Sequence, residues 1–193
     1  RSALTTDNPL MTTDDFLDWF RSRSQACSSE VCRIPLSDLE DWYFSSCPHR
    51  LVHQSGKFFS IGGVRVKTTF GPVPEWDQPI ISQPEVGILG IITKVVGGMR
   101  YFLLQAKMEP GNVNLVQLSP TVQATRSNYT CVHKGKLPLY LEYFIKRRKS
   151  KILVDQIQSE QGARFSQKVN RNMVVEVGSD IQVNEDFCWL TLG

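Results

Sequence analysis

The sequence predicts an α+β fold: a mixed or antiparallel β-sheet with helices on it, behind a helical N-terminal lead-in. Three observations predict it. Residues 1–50 carry apolar residues at helical spacing; residues 51–107 alternate and are broken by glycine pairs; the remainder mixes the two patterns. The chain has 193 residues, 41% hydrophobic and 21% charged, which suits a globular domain and excludes disorder as a description of the whole. A chain of this length buries a core without disulfides.

Thr13 and Asp14 are placed to cap a first helix with Phe16, Leu17, Trp19 and Phe20 on one stripe. Ser37 and Glu40 are spaced as a capping box before Leu39, Trp42 and Tyr43, which predicts a second helix. Strands follow at 58–61 and 64–68, separated by Gly62-Gly63. Residues 86–96 and 99–106 flank Gly97-Gly98 and read as a β-hairpin with a two-residue turn. Four prolines between 71 and 84 restrict that stretch to a loop or a sheet edge. Glu109-Pro110-Gly111 is a turn, and Pro120 starts a helix over 121–129. A further helix is expected over 139–149 with Leu141, Phe144 and Ile145 inward. Residues 172–177 form a strand, and 187–192 begin another ordered piece.

Of the 22 Lys and Arg, five sit in one run: Lys146, Arg147, Arg148, Lys149 and Lys151. The other 17 face 19 Asp and Glu, so the chain is no nucleic-acid-coating protein, and the run reads as a solvated helix end. No apolar stretch approaches the roughly 20 residues of a membrane helix. The first thirty residues lack a signal-peptide core, which places the chain in the cytoplasm with its five cysteines reduced. A Cys27–Cys32 disulfide stays open as an alternative. The chain starts at Arg1, without an initiator Met, and is expected to be a piece of something longer.

Several chemistries have no motif here. There is no GxGxxG, P-loop, HExxH, EF-hand loop or GxSxG. Cys47, His49 and His53 lie close together but lack a fourth zinc ligand at recognisable spacing, and are read as ordinary strand and surface residues. What stands out is the density of amides and hydroxyls in otherwise apolar stretches: 78–84, 105–112, 117–129, 158–162 and 170–173. Such groups suit a hydroxyl-rich ligand; they equally satisfy buried backbone in irregular loops.

Residues 76–91, 104–130, 140–144, 155–162 and 170–175, with the ending Phe187-Cys188-Trp189-Leu190-Thr191-Leu192-Gly193, resemble the NDP-hexose 2,3-dehydratases. The likeness runs from about Phe16 to Gly193. It implies a fold of Nudix-like modules, each with a helical lead-in, assembled as a homodimer. On that basis residues 1–50 are a lead-in and 51–193 one Nudix-like sugar-nucleotide-binding module. Family members carry two such repeats; this chain carries one and looks more like the first. The acidic metal-binding helix of Nudix hydrolases is absent from the sequence, so no metal is expected.

The resemblance implies a dTDP-linked 4-keto-6-deoxyhexose as substrate. Water is eliminated across C2 and C3, and the 3,4-diketo product passes to a ketoreductase. The C4 ketone acidifies the C3 proton, so the elimination needs no redox cofactor. It needs a base, a donor to the C4 oxygen and an acid for the departing C2 hydroxyl. Lys107 and Glu109, at the end of a strand, are the candidates to polarise the ketone and move the C3 proton, and Tyr129 to protonate the leaving hydroxyl. Arg126, Arg164 and Arg171 are candidates for the diphosphate. Gln83, Gln105, Asn112, Gln123, Asn128, Glu160 and Asn172 would address hydroxyls or base edges, and Trp76 would stack on the base. Trp19, Trp42 and Trp189 are read as core or interface. A non-catalytic binding repeat is the competing reading.

Overall fold

The computed structural model describes residues 1–5, 8–125, 137–146, 149–178 and 181–193. It is an α+β chain made mostly of strands, in a four-stranded and a seven-stranded sheet. It divides into two compact units. The first comprises Arg1–Val31, Gly87–Gln156 and Arg171–Gly193; the second comprises Cys32–Val86 and Ile157–Asn170.

In the first unit, helix α1 (Thr13–Ala26) is capped by Thr12, one residue before the expected cap. Thr12 accepts from the Asp15 amide at 3.2 Å while the Asp15 carboxylate accepts from the Thr12 amide, a reciprocal box that satisfies two end donors. Phe16, Trp19 and Phe20 cluster on one side with ring centroids about 6 Å apart. The Trp19 indole donates to the Glu185 carbonyl at 2.9 Å, and Arg23 one turn on meets the Glu185 carboxylate at 2.9 Å. These contacts fix α1 against the residues before the last strand.

The hairpin at Gly97-Gly98 forms as expected, between β5 (Gly87–Val96) and β6 (Met99–Met108). Both turn glycines have positive φ, 57° and 76°, which the two-residue turn requires. The sheet runs β11 (Phe187–Leu190), β6, β5, β10 (Val169–Glu176), β9 (Lys151–Ser159). Its core gathers Ile92, Tyr101, Leu103, Val122, Met173, Val175, Phe187 and Trp189 with Leu141 and Phe144. Among the described residues, the expected helix over 139–149 is reduced to α2 (Glu142–Ile145); Arg147 and Arg148 lie outside them. Leu141 and Phe144 do point inward, but Ile145 is exposed. Phe144 lies so close over β5 that a Cβ on Gly90 would stand 2.3 Å from its ring.

Between β5 and β6 the sheet forks. The two strands pair from Val96↔Met99 as far as Ile92↔Leu103 and then part. The gap is filled by a V of chain: β7 (Val116–Pro120) runs inward along β6, and β8 (Val122–Ala124) runs outward along β5. Thr121 sits in the crotch, 2% exposed. Its hydroxyl accepts from the Ile92 amide at 3.0 Å and donates to the Leu103 carbonyl. Within the helix expected over 121–129, Val122–Ala124 instead form a strand, because the ladder with β5 claims their backbone groups. Residues 126–129 of that expectation lie outside the described residues.

The second unit holds the four-stranded sheet β1 (Trp42–Ser46), β2 (His49–His53), β3 (Ser60–Lys67), β4 (Glu75–Ser82) in that order. The second lead-in helix is not formed. Residues Leu36–Asp38 make one 3-10 turn, and Trp42 and Tyr43 start an antiparallel hairpin with β2. Trp42 packs instead on His53 and Phe59, at 5.3 and 4.9 Å between centroids. β3 runs unbroken through Gly62-Gly63, so that pair marks neither turn nor strand end. The proline-rich stretch supplies β4, the edge strand expected of it.

Candidate functional site

The fork brings sequence-predicted residues together. Along one face of β6, the buried Tyr101 and Leu103 are followed by the half-buried Gln105 and Lys107, so a core face turns polar as the strand leaves the core. Lys107 Nζ donates to Glu109 Oε1 at 2.8 Å and to Gln123 Oε1 on β8. The side chains of Lys107 and Glu109 are 29% and 44% exposed, so the pair is reachable from solvent.

Local sequence builds this end of the fork. Residues 109–115 loop from β6 to β7, with the Glu109 amide donating to the Leu115 carbonyl at 3.0 Å. Leu115 takes φ 60°, a left-handed conformation costly for a branched side chain. The Asn112 side-chain amide ties the loop down, donating to the Leu115 carbonyl at 3.1 Å and the Lys107 carbonyl at 3.4 Å. Asn112 thus shapes the loop that presents Glu109.

A recess of about 350 Å³ adjoins, lined by Gln105, Ala106, Lys107 and Met108 on β6 and by Val116, Arg23, Ala26, Cys27, Glu185 and Asp186. Of the last five, Arg23, Ala26, Glu185 and Asp186 drew no attention in the sequence, and Cys27 drew it only as a disulfide candidate. The one signal was the i, i+4 spacing of Trp19 and Arg23, the two residues that reach Glu185. Arg23 is neutralised there by Glu185 at 2.9 Å and Asp186 at 3.6 Å, so the recess carries both signs of charge.

Other predicted residues make contacts of their own. Arg171 on β10 grips Asp155 on β9 through two guanidinium nitrogens, one at 2.6 Å. Asn172 is half-buried on β10. Trp76, Gln83, Glu160 and Arg164 belong to the second unit. Trp76 donates to the Gln78 side chain at 2.7 Å, and Glu160 accepts from Asn170. The Arg164 carbonyl accepts from the Ile81 amide at 2.8 Å, pinning its backbone beside β4. Arg126, Asn128 and Tyr129 lie outside the described residues.

Electrostatics set off three further groups. Burial pushes the Cys188 thiol up to about 12. Burial also holds Lys94 below the usual lysine range; its ammonium lies 4.4 Å over the Trp189 ring. Lys168 is lowered by burial, partly offset by Glu160 and Glu85. Among the described residues no three His, Cys, Asp or Glu side chains converge as a metal site. Cys27, Cys47 and Cys188 are free thiols. Among them too, no helix is long and apolar enough to cross a membrane.

The family model for NDP-hexose 2,3-dehydratase matches residues 13–193. The chain belongs to the NDP-hexose 2,3-dehydratase family. It is 52% identical over 192 residues to a dTDP-4-dehydro-6-deoxy-alpha-D-glucopyranose 2,3-dehydratase of Saccharopolyspora spinosa, covering 100% of this chain and 40% of that one. A protein of the same name from Amycolatopsis orientalis is 52% identical over 197 residues, covering 100% and 42%. One from Streptomyces violaceoruber is 48% identical over 179 residues, covering 92% and 40%. The chain therefore spans about two-fifths of the length of these dehydratase relatives.

Proposed function

We propose that this chain takes part in the 2,3-dehydration of an NDP-4-keto-6-deoxyhexose, with dTDP-4-keto-6-deoxy-D-glucose as substrate, in deoxysugar biosynthesis. The observation that carries the proposal is the Lys107–Glu109 pair, held at 2.8 Å at the open end of the sheet fork and accessible to a ligand. Family membership and the names of the relatives supply the reaction class.

In this carbon-oxygen lyase mechanism, the Glu109 carboxylate takes the C3 proton. The electron pair left behind passes to the C4 oxygen, which accepts a hydrogen bond from the Lys107 ammonium. The enolate then expels the C2 hydroxyl, Tyr129 supplies the proton, and water leaves. The enol tautomerises to the 3,4-diketo sugar, and Glu109 and Tyr129 return to their starting states by one proton transfer. Gln105, Gln123, Asn128, Asn172, Gln83, Asn112 and Glu160 address hydroxyls and base edges, Trp76 stacks on the thymine, and Arg126, Arg164 and Arg171 serve the diphosphate. Arg171 would share its fork with Asp155. The reading extends to residues 51–193 as one Nudix-like repeat behind a lead-in at 1–50, a homodimer in the cytoplasm, and a downstream ketoreductase.

The two-fifths coverage favours a second reading, a repeat that binds the sugar nucleotide without turning it over. One experiment separates them. The chain is incubated with dTDP-4-keto-6-deoxyglucose in deuterated water with a trapping ketoreductase and followed by NMR. Formation of the reduced 2-deoxy product is expected. Saturable binding with neither exchange at C3 nor elimination would leave only the binding role.

A further inference from the structure

A lysine ammonium has three N–H donors. Two of those on Lys107 are engaged among the described residues, one by Glu109 and one by Gln123. The two acceptors approach from different arms of the fork, Glu109 from the loop after β6 and Gln123 from β8, which pairs with β5. With two donors pinned, the direction of the third is set by geometry.

We propose that Gln123 is a positioning residue for the Lys107 ammonium, aiming its third N–H at the oxygen that becomes negative. This rests on the role given above to Lys107. The two acceptors are not equivalent during the reaction. Once Glu109 has taken the C3 proton it is neutral, and its attraction for the ammonium falls when the enolate needs it most. Gln123 does not titrate, so its hold persists through the step. A neutral amide also adds no negative charge to compete with the enolate for the ammonium.

Backbone position keeps the amide in place. Gln123 lies between Val122 and Ala124, which are 2% and 3% exposed, and all three residues pair with β5. A side chain on so short and anchored a strand has little freedom beyond its own torsions.

The test has one arm that reads position and one that reads turnover. Competitive reductive methylation with formaldehyde and cyanoborohydride, resolved by peptide mass spectrometry, reports the accessibility of each lysine. In Gln123→Leu, labelling of Lys107 is expected to rise several-fold relative to Lys94, and in Gln123→Glu to stay at the wild-type level. Circular dichroism confirms that both variants are folded. In the turnover arm, Gln123→Leu lowers kcat about 10- to 100-fold, as expected for a misplaced catalytic group. The double variant Gln123→Leu/Lys107→Ala is then no slower than Lys107→Ala alone. Unchanged Lys107 labelling in Gln123→Leu, or losses that multiply in the double variant, would overturn the proposal. A wild-type chain that does not turn over would remove the dehydratase reading, and the labelling arm alone would then decide the role of Gln123.

Discussion

Replacing Thr121 by Val tests the fork directly. The two side chains have nearly the same shape, so the change removes a hydroxyl and little else. That hydroxyl stands between the Ile92 amide and the Leu103 carbonyl at the point where β5 and β6 separate. Ile92 and Leu103 are both 0% exposed, so water cannot replace it without opening the core. Each buried group left unsatisfied costs about 1–3 kcal/mol. The added methyl returns about 0.8 kcal/mol of apolar burial. The expected net loss is about 3 kcal/mol, a large part of the roughly 5–15 kcal/mol that holds a typical domain together. Thr121→Ser keeps the hydroxyl and gives up one methyl, about 1 kcal/mol. Urea titrations of the three proteins, followed by circular dichroism, should therefore rank the wild type first, Ser second and Val last. Hydrogen exchange of the Ile92 amide should quicken most in the Val variant. A Val variant as stable as the wild type, or more stable than Ser, would show that the hydroxyl does not close the fork.

Further tests probe the Gly90–Phe144 contact, the Lys107–Glu109 pair and Cys188. Gly90→Ala would put a Cβ 2.3 Å from the Phe144 ring, and is expected to cost about 1–3 kcal/mol in a urea titration; Phe144→Leu in the same chain should recover part of it. Glu109→Gln is expected to lower kcat about 10²- to 10⁴-fold as loss of a general base. Lys107→Ala should lower it about 10²- to 10³-fold as loss of an oxyanion donor; in both variants calorimetry should find dTDP binding near wild type. Cys188 should resist dithionitrobenzoate until the chain unfolds, while the exposed Cys47 reacts at once. The Cys188 thiol rises from 9.0 to about 12 on folding, so the unfolded state loses that proton first. This contribution to stability is complete below pH 9 and is lost as pH climbs toward 12, which denaturant titrations at stepped pH would record.

Local chemistry made parts of this fold legible. The β5–β6 hairpin could be read because Gly97-Gly98 supplies the two positive φ angles its turn needs. Lys107 and Glu109 could be read as a pair because a strand end followed by Pro110-Gly111 brings residues two apart to one side. Other parts depended on distant partners. Ser37 and Glu40 have the spacing of a capping box, yet Trp42 finds its packing on His53 and Phe59, and that pairing selects a strand. No Asn-Gly or Gly-Gly marks the turn of this hairpin; it closes at Cys47-Pro48, a cis peptide. The residues after Pro120 are helix-compatible, but the open backbone edge of β5 overrides that propensity at Val122–Ala124. With the helix expected there, the approach of Gln123 to Lys107, 16 residues away, was invisible.

The fork explains why a polar constellation can sit at the end of a strongly apolar sheet. A closed β5–β6 ladder would carry Gln105 and Lys107 beside β5, where their polar ends would meet the core. Parting the strands after Leu103 lets β6 leave that core while its backbone stays paired, now with β7. Three residues permit this at low cost. Pro120 has no amide proton to leave stranded where β7 meets Leu104. Thr121 supplies a hydroxyl to the two backbone groups at the crotch. Gly90 admits the Phe144 ring against the β5 arm. None of the three bears a charge or touches Lys107 among the described contacts, yet each helps set the distance that Lys107 must span to Gln123. The chemistry proposed for Lys107 and Glu109 therefore depends on a packing arrangement, and the Thr121 and Gly90 variants should disturb both stability and the Lys107–Gln123 contact.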